Sequence, residues 1–512
     1  MKKKLPSHDI EVRVNALSPN FLRRSRPTIS FSSVVRVVGM MCLMESALLL
    51  ICTIVALGYQ ESDILPFTSA FLVSIATGSI LLLVTKGKVN KQTQGYREGA
   101  LSVALTWIVL SLIGTLPFLV GGYLTNFADA FFETMSAFTT TGSTTFADVE
   151  SLPHGILFWR SIMQWTGGIG IVVFTMALIP LFSSGKNGGS LYNAETSGIT
   201  HERFLPRIRV VVQKLWIVYV SITVILIILL LFGGMNLFDA ICHAFTCIPT
   251  GGLSTKNNSI AFYHSRYIEY IIVLFMIIGS TNLSLLYISI FKKPKDFFKD
   301  EEFRWFIILI ATYTLITFIG VFSSHHYASI EESFRKSLFQ VVTLISSTGY
   351  LTENYNLWGP FFACLSIPIM TVCGCAGSTS GGLKISRIMV MLKNLKNEFR
   401  KRIHGNMVLN VRLNRRSING DVIMQVLAFV SLYILIIILG TIALSFMGYQ
   451  PIDSISMTIS SISNCGPCSG VYISNFAEAG MIEKILLSFI MLAGRLEVFT
   501  FVGIIMPSFY KR

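Results

Sequence analysis

The chain has 512 residues, 52% of them hydrophobic and 13% charged, with a mean hydropathy of +0.64 and a net charge of +14. A soluble chain of this length would form about three domains carrying about 25% charged residues. Runs such as 212–233, 420–447 and 481–507 instead exceed the ~20 apolar residues needed to cross a bilayer, so a soluble fold is excluded and an all-α polytopic membrane protein is expected.

The positive charge is a topology signal. Of the 41 Lys and Arg residues, 34 fall in six clusters, at 1–36, 86–97, 186–214, 292–304, 384–416 and 511–512. With pairs of crossings between them, all six lie on one face, as the positive-inside rule requires. That face attracts anionic headgroups of the lipid bilayer, and no nucleic-acid partner is expected.

In chain order, residues 1–35 read as a cytoplasmic tail, because no apolar stretch follows the basic start closely enough for a cleaved signal peptide. A helix pair follows within 36–96, with crossings at about 36–58 and 66–85. Four segments then share one layout, at 97–210, 211–300, 301–416 and 417–512. Outgoing helices are expected at about 98–121, 211–233, 303–323 and 420–447, and returning ones at about 155–182, 266–291, 358–392 and 480–507. Between each pair lies a short amphipathic stretch: FADAFFETMSAFTTTGSTT (127–145), LFDAICHAFTCIPTGGLST (237–255), IEESFRKSLFQVVTLISSTGYLT (330–352) and PIDSISMTISSISNCGPCSG (451–470). Each begins with an acid (Asp129, Asp239, Glu331 and Glu332, Asp453) where a helix dipole favours one, and each is too short to span. The expectation is about twelve crossings and four half-helices in a pseudo-fourfold arrangement, with both termini cytoplasmic.

Each short stretch ends in hydroxyl or small residues before a glycine: Gly142, Gly251, Gly349 and Gly466, spaced by 109, 98 and 117 residues. Irregular backbone at membrane depth is tolerated where it lines water or is buried in protein. Four such turns on one axis would surround a narrow path with carbonyls able to replace a potassium ion's hydration shell. Glycine permits the positive φ that such turns need.

TTTGST (139–144), WRSIMQWTGGIGIVVF (159–174), PTGGLST (249–255), SSTGY (346–350), NCGPCSG (464–470), CGCAGSTSGGLK (373–384) and AGRLEVFT (493–500) together resemble the Trk/Ktr/HKT superfamily of potassium transporters, in its bacterial TrkH branch, over nearly the whole chain. The resemblance implies a potassium selectivity filter at Thr141, Gly142, Thr250, Gly251, Thr348, Gly349, Cys465 and Gly466, binding the transported K⁺ through backbone carbonyls. It implies a gate below, formed by Gly374, Cys375, Ala376, Gly377, Ser378, Thr379, Ser380, Gly381 and Gly382, with Lys384 just beyond it and Arg495 facing it. It also implies a homodimer in the inner membrane, with a peripheral cytoplasmic regulatory subunit of the TrkA type that binds NAD or ATP. Candidate contacts for that subunit are the loop 183–210 and the basic stretch 393–416. The chain itself is expected to bind no cofactor. Two departures concern cysteine: Cys465 and Cys468 flank the fourth turn, and Cys373 opens the loop.

Other readings stand beside these. Small residues at 374–382 disfavour a regular helix, which fits a soft gate or a static close-packing site. A charge at Arg495 in an apolar span is costly, which fits a barrier to cations or an ion pair with Glu497. A Na⁺- or H⁺-coupled symporter would place carboxylates at midplane, and Glu497 is the clear acid there. Cys373–Cys375 and Cys465–Cys468 lack zinc spacing, no two His occupy metal-ligand spacing, and GGIG at 167–170 follows no strand, so no enzyme is expected.

Overall fold

The computed structural model describes residues 29–87, 96–170, 208–291, 294–404, 407, 409–414 and 416–510. The tail before residue 29, most of the candidate contact loop 183–210 and the second half of the first expected returning helix lie outside them.

The N-terminal pair, Phe31–Tyr59 and Ile64–Val84, is packed closely because it crosses on glycine. A Cβ on Gly78 would lie 2.9 Å from the Gly39 carbonyl, the small-residue contact by which helices associate in lipid. The Ser74 hydroxyl adds a hydrogen bond to the Cys42 carbonyl at 2.7 Å.

The four repeats follow. Their outgoing helices are Tyr96–Gly114 (continued by Leu116–Val120), Ile208–Phe232, Glu301–Ser323 and Gly420–Phe446. The last three carry exposed bands such as Ile225, Ile228 and Phe232, or Leu435, Leu439 and Ile442, fit for hydrocarbon. The half-helices Phe127–Phe138, Leu237–Cys247, Ile330–Ile345 and Pro451–Ser463 are 12, 11, 16 and 13 residues long. Their starts are set by local chemistry. Asn236 Oδ1 accepts from the Asp239 N–H at 2.7 Å, Ser329 Oγ from the Glu332 N–H at 3.0 Å, and Pro451 opens the fourth. Side-chain oxygens of this kind satisfy the orphan donors of a first helical turn.

Each half-helix packs against the returning helix of the preceding repeat: the second on His154–Ile169, the third on Arg266–Gly279, the fourth on Pro360–Val372, and the first on Met481–Arg495. That order closes on itself, which is the pseudo-fourfold arrangement. Polar links mark the joints: Lys484 Nζ to Asp129 Oδ1 at 2.7 Å, and Arg335 and Lys336 on Glu269.

The returning helices differ from expectation. The third was expected to be interrupted, yet two others are broken as well. Arg266–Gly279 and Leu283–Phe291 meet at 102°, and Met481–Arg495 and Val498–Ile505 meet at 115°. The first ends at Ile169, with Gly170 at φ 78°. Among the described residues, six helices are long and apolar enough to cross unbroken, or eight if each bent pair is one span. The breaks fall where Gly279, Gly494 or Gly374 meets backbone from another element. A Cβ on Gly494 would lie 2.1 Å from the Ile462 carbonyl and one on Gly279 2.7 Å from that of Ile248.

Candidate functional site

The half-helices end in turns of one geometry. Thr140, Thr250, Ser347 and Asn464 adopt φ of 56°, 58°, 57° and 51°. The next residue's N–H then reaches back to the half-helix: Thr141 to the Ser136 carbonyl at 2.8 Å, and Gly251, Thr348 and Cys465 to those of Thr246, Thr343 and Ser460 at 2.9 Å each. One residue further, Gly142, Gly252, Gly349 and Gly466 have φ of 86°, 74°, 89° and 99°. The left-handed residue satisfies carbonyls that the helix end leaves unpaired.

These glycines close a ring. A Cβ on Gly142 would lie 1.9 Å from the Gly251 carbonyl oxygen. One on Gly252 would lie 1.9 Å from that of Thr348, one on Gly349 2.3 Å from that of Cys465, and one on Gly466 2.6 Å from that of Thr141. Each turn thus presses a carbonyl against the preceding repeat's glycine, and the cycle returns to its start. No side chain fits at any of the four positions. All four glycines also line one cavity, together with Ser143, Leu253, Leu351 and Pro467.

The ring corrects the sequence register in the second repeat. The sequence pattern aligns Gly251 with Gly142, Gly349 and Gly466, with Thr250 beside it; the backbone places Gly252 there. Gly251 takes the position of Thr141, Thr348 and Cys465, and Thr250 that of Thr140. The tandem Gly251–Gly252 hid this, and Gln164 explains the extra glycine. A Cβ on Gly251 would lie 2.4 Å from Gln164 Cδ, and Gln164 Nε2 donates to the Gly251 carbonyl at 2.9 Å.

Behind the ring, polar side chains hold the strands that lead away from it. Glu133 and Arg160 form a pair at 2.7 Å with side chains 0% and 2% exposed. Glu133 also accepts from the Thr145 N–H at 2.8 Å, and Arg160 donates to Thr144 Oγ1 at 3.0 Å and to the Ser254 carbonyl at 3.3 Å. Asp239 accepts from Thr255 Oγ1 at 2.6 Å, Lys336 donates to the Thr352 carbonyl at 3.0 Å, and Ser456 Oγ accepts from the Ser469 N–H at 2.5 Å. None of Glu133, Arg160, Gln164 or Ser456 is among the site residues expected from the sequence. The signal for the first two was a charge within an apolar helix.

The loop 373–384 lies on the half-helix side of the ring. Thr379 Oγ1 donates to the Ile248 and Gly279 carbonyls at 3.1 and 3.0 Å, and the Gly381 N–H donates to Ser347 Oγ at 2.9 Å. A Cβ on Gly381 would lie 2.1 Å from the Ser463 carbonyl. Gly374, Cys375, Ala376, Thr379, Ser380 and Gly381 are buried, while Gly377 is exposed and Ser378 and Gly382 are half-buried. Lys384 Nζ turns back into the loop, donating to the Ser380 carbonyl. Arg495 donates to the Thr379 carbonyl at 2.9 Å and to the Gly167 carbonyl at 2.6 Å. Glu497, weighed as its ion-pair partner, pairs with Arg387 at 2.8 Å. All nine cysteines are free thiols, and eight of them are buried, including Cys373, Cys465 and Cys468.

A ring of main-chain oxygens can coordinate a dehydrated cation. Among the described residues no group of three or more His, Cys, Asp or Glu could hold a metal ion.

Comparison with known proteins agrees with this architecture. The family model TrkH, described as a cation transport protein, matches residues 64–508. The Trk system potassium uptake protein TrkH of Salmonella typhimurium is 35% identical over 484 residues, covering 94% of this chain and 99% of that protein. The protein of the same name from Escherichia coli K12 is equally similar. The crystal structure of the potassium transporter TrkH from Vibrio parahaemolyticus superposes with a TM-score of 0.84 at 31% identity, covering 94% of this chain and all of that one. The chain therefore belongs to the TrkH family of cation transport proteins, a family of transporters rather than enzymes.

Proposed function

We propose that this chain takes up potassium across the bacterial inner membrane through a channel-like pore, as the membrane subunit of a Trk system. The filter would be the ring made by Thr141, Gly251, Thr348 and Cys465 with Gly142, Gly252, Gly349 and Gly466. The carrying observation is the closed cycle of glycine-to-carbonyl contacts. Four turns from distant parts of the chain meet there, and a carbonyl of each is fixed by its neighbour before an ion arrives. Half-helices ending at the ring direct their partially negative C-termini towards it, which favours a cation. The names of the relatives supply the ion.

In this reading the loop 373–384 is the gate, with Arg495 as the positive group beside it, and both termini are cytoplasmic. A homodimer and a nucleotide-binding regulatory subunit docked on the basic face complete the system. The test is purified protein in liposomes, comparing K⁺ and Na⁺ flux for the wild type and Gly349→Ser. The wild type is expected to prefer K⁺ with no Na⁺ or pH gradient imposed, and the variant to lose that preference. Unchanged selectivity in the variant would remove Gly349 from the filter, and flux that stops without a second gradient would replace the channel with a symporter.

A further inference from the structure

The loop 373–384 is held at its tip by the turns and at its neck by its own chain. The Leu383 N–H donates to the Thr371 carbonyl at 3.2 Å and the Ile385 N–H to the Gly374 carbonyl at 3.1 Å. One further group grips the neck from outside. Glu302, in the first turn of the outgoing helix Glu301–Ser323, is 9% exposed, and its Oε1 accepts from the Ala376 N–H at 2.7 Å and from the Ser386 N–H at 3.1 Å. These donors lie ten residues apart, one inside the loop and one in the first turn of the helix Ile385–Ile403 that follows it. A single carboxylate oxygen therefore staples the loop to the base of its exit helix.

Several physical terms favour this contact. A carboxyl oxygen can accept from both N–H groups whether or not the group is ionised, and such bonds are about twice as strong when it is. A carboxylate at a helix N-terminus also gains from the dipole, and Ser386 supplies such a terminus. Backbone N–H groups buried in a membrane protein need a partner, so without Glu302 two would be left unpaired. Its neighbour Glu301 is bound to Lys393 further along the same exit helix and accepts from the Asn414 N–H at 3.0 Å. The start of this outgoing helix is thus fixed both to the loop and to the hairpin Arg412–Ser417 beyond it.

We infer that Glu302 is the latch of the loop, a positioning residue whose bridge between Ala376 and Ser386 keeps the loop under the ring. Breaking the bridge frees the loop and opens the path; this second step rests on the gate reading given above. The test uses the full chain in liposomes, with two readouts. One is K⁺ flux. The other is maleimide labelling of the native loop thiols Cys373 and Cys375, both buried at rest, resolved by mass spectrometry. Glu302→Ala is expected to raise labelling and flux several-fold, and Glu302→Gln, which keeps an acceptor oxygen in place, to return both towards the wild type. Ser386→Pro removes one donor where a helix tolerates proline, in its first turn, and should raise labelling less. Should Glu302→Ala insert poorly, Ser386→Pro decides. Labelling that stays at the wild-type level in the variants would overturn the latch. Raised labelling with unchanged flux would support the latch and instead remove the loop from the gate.

Discussion

At Gly251 and Gly252 two glycines stand side by side for different reasons. Gly252 has φ 74°, and a Cβ there would lie 1.9 Å from the Thr348 carbonyl oxygen, a main-chain atom fixed by the neighbouring turn. The backbone conformation alone costs an L-residue about 1–2 kcal/mol, and the clash adds to it. At Gly251 the obstacle is the end of the Gln164 side chain, which can change rotamer. Gly252→Ala should therefore abolish K⁺-selective flux, while Gly251→Ala should retain selectivity at a reduced rate. Flux through both variants in liposomes checks this, and the opposite order would restore the sequence register. Two adjacent glycines are indistinguishable in a sequence, and φ together with the neighbour's carbonyl separates them.

The same contrast recurs among elements. The half-helices were legible because length, a leading acid and a terminal glycine recur four times. The broken returning helices were read in one repeat of four, because Gly374–Gly382 is dense in small residues whereas the others bend at a single Gly279 or Gly494. What meets each of them there is a carbonyl at the end of its own repeat's half-helix, that of Ile248 or Ile462, a tertiary contact with no local signature. Glu133 and Arg160 are a second such case, since each looks like an isolated charge until the returning helix meets the half-helix. Breaking a buried pair leaves an uncompensated charge and costs about 3–5 kcal/mol, while replacing both partners with apolar groups is often neutral. Arg160→Met should lower the thermal unfolding temperature in detergent, and Glu133→Leu with Arg160→Met should recover most of it. Flux should not recover with it, because Thr144, Thr145 and the Ser254 carbonyl lose the groups that position them. A double variant with full selectivity would assign the pair to stability alone.

Across the whole molecule the four repeats are similar in backbone and unlike in side chains, and in the proposed reading that inequality is what permits control. A strictly fourfold assembly would offer an ion the same surroundings from every side. Here the third repeat contributes a loop, the fourth an arginine, and the first the carbonyls of Gly167 and Gly168 that Arg495 also reaches, at 2.6 and 3.2 Å. Arg495 thereby ties three repeats together at the level of the broken helices. On the proposed gate reading, a fixed cation about 7 Å from a passing ion, at an effective dielectric near 20, would raise that ion's energy by about 2 kcal/mol. Such a term would slow conduction without stopping it, and the bond to the Thr379 carbonyl ties Arg495 to the loop. Removing the guanidinium weakens both effects in the same direction. Arg495→Ala should accordingly transport K⁺ faster than the wild type in liposomes containing equal amounts of correctly inserted protein, with selectivity kept because the ring is untouched. Slower transport would mean that the arginine organises the pathway instead of impeding it, and the barrier would have to lie elsewhere along the axis.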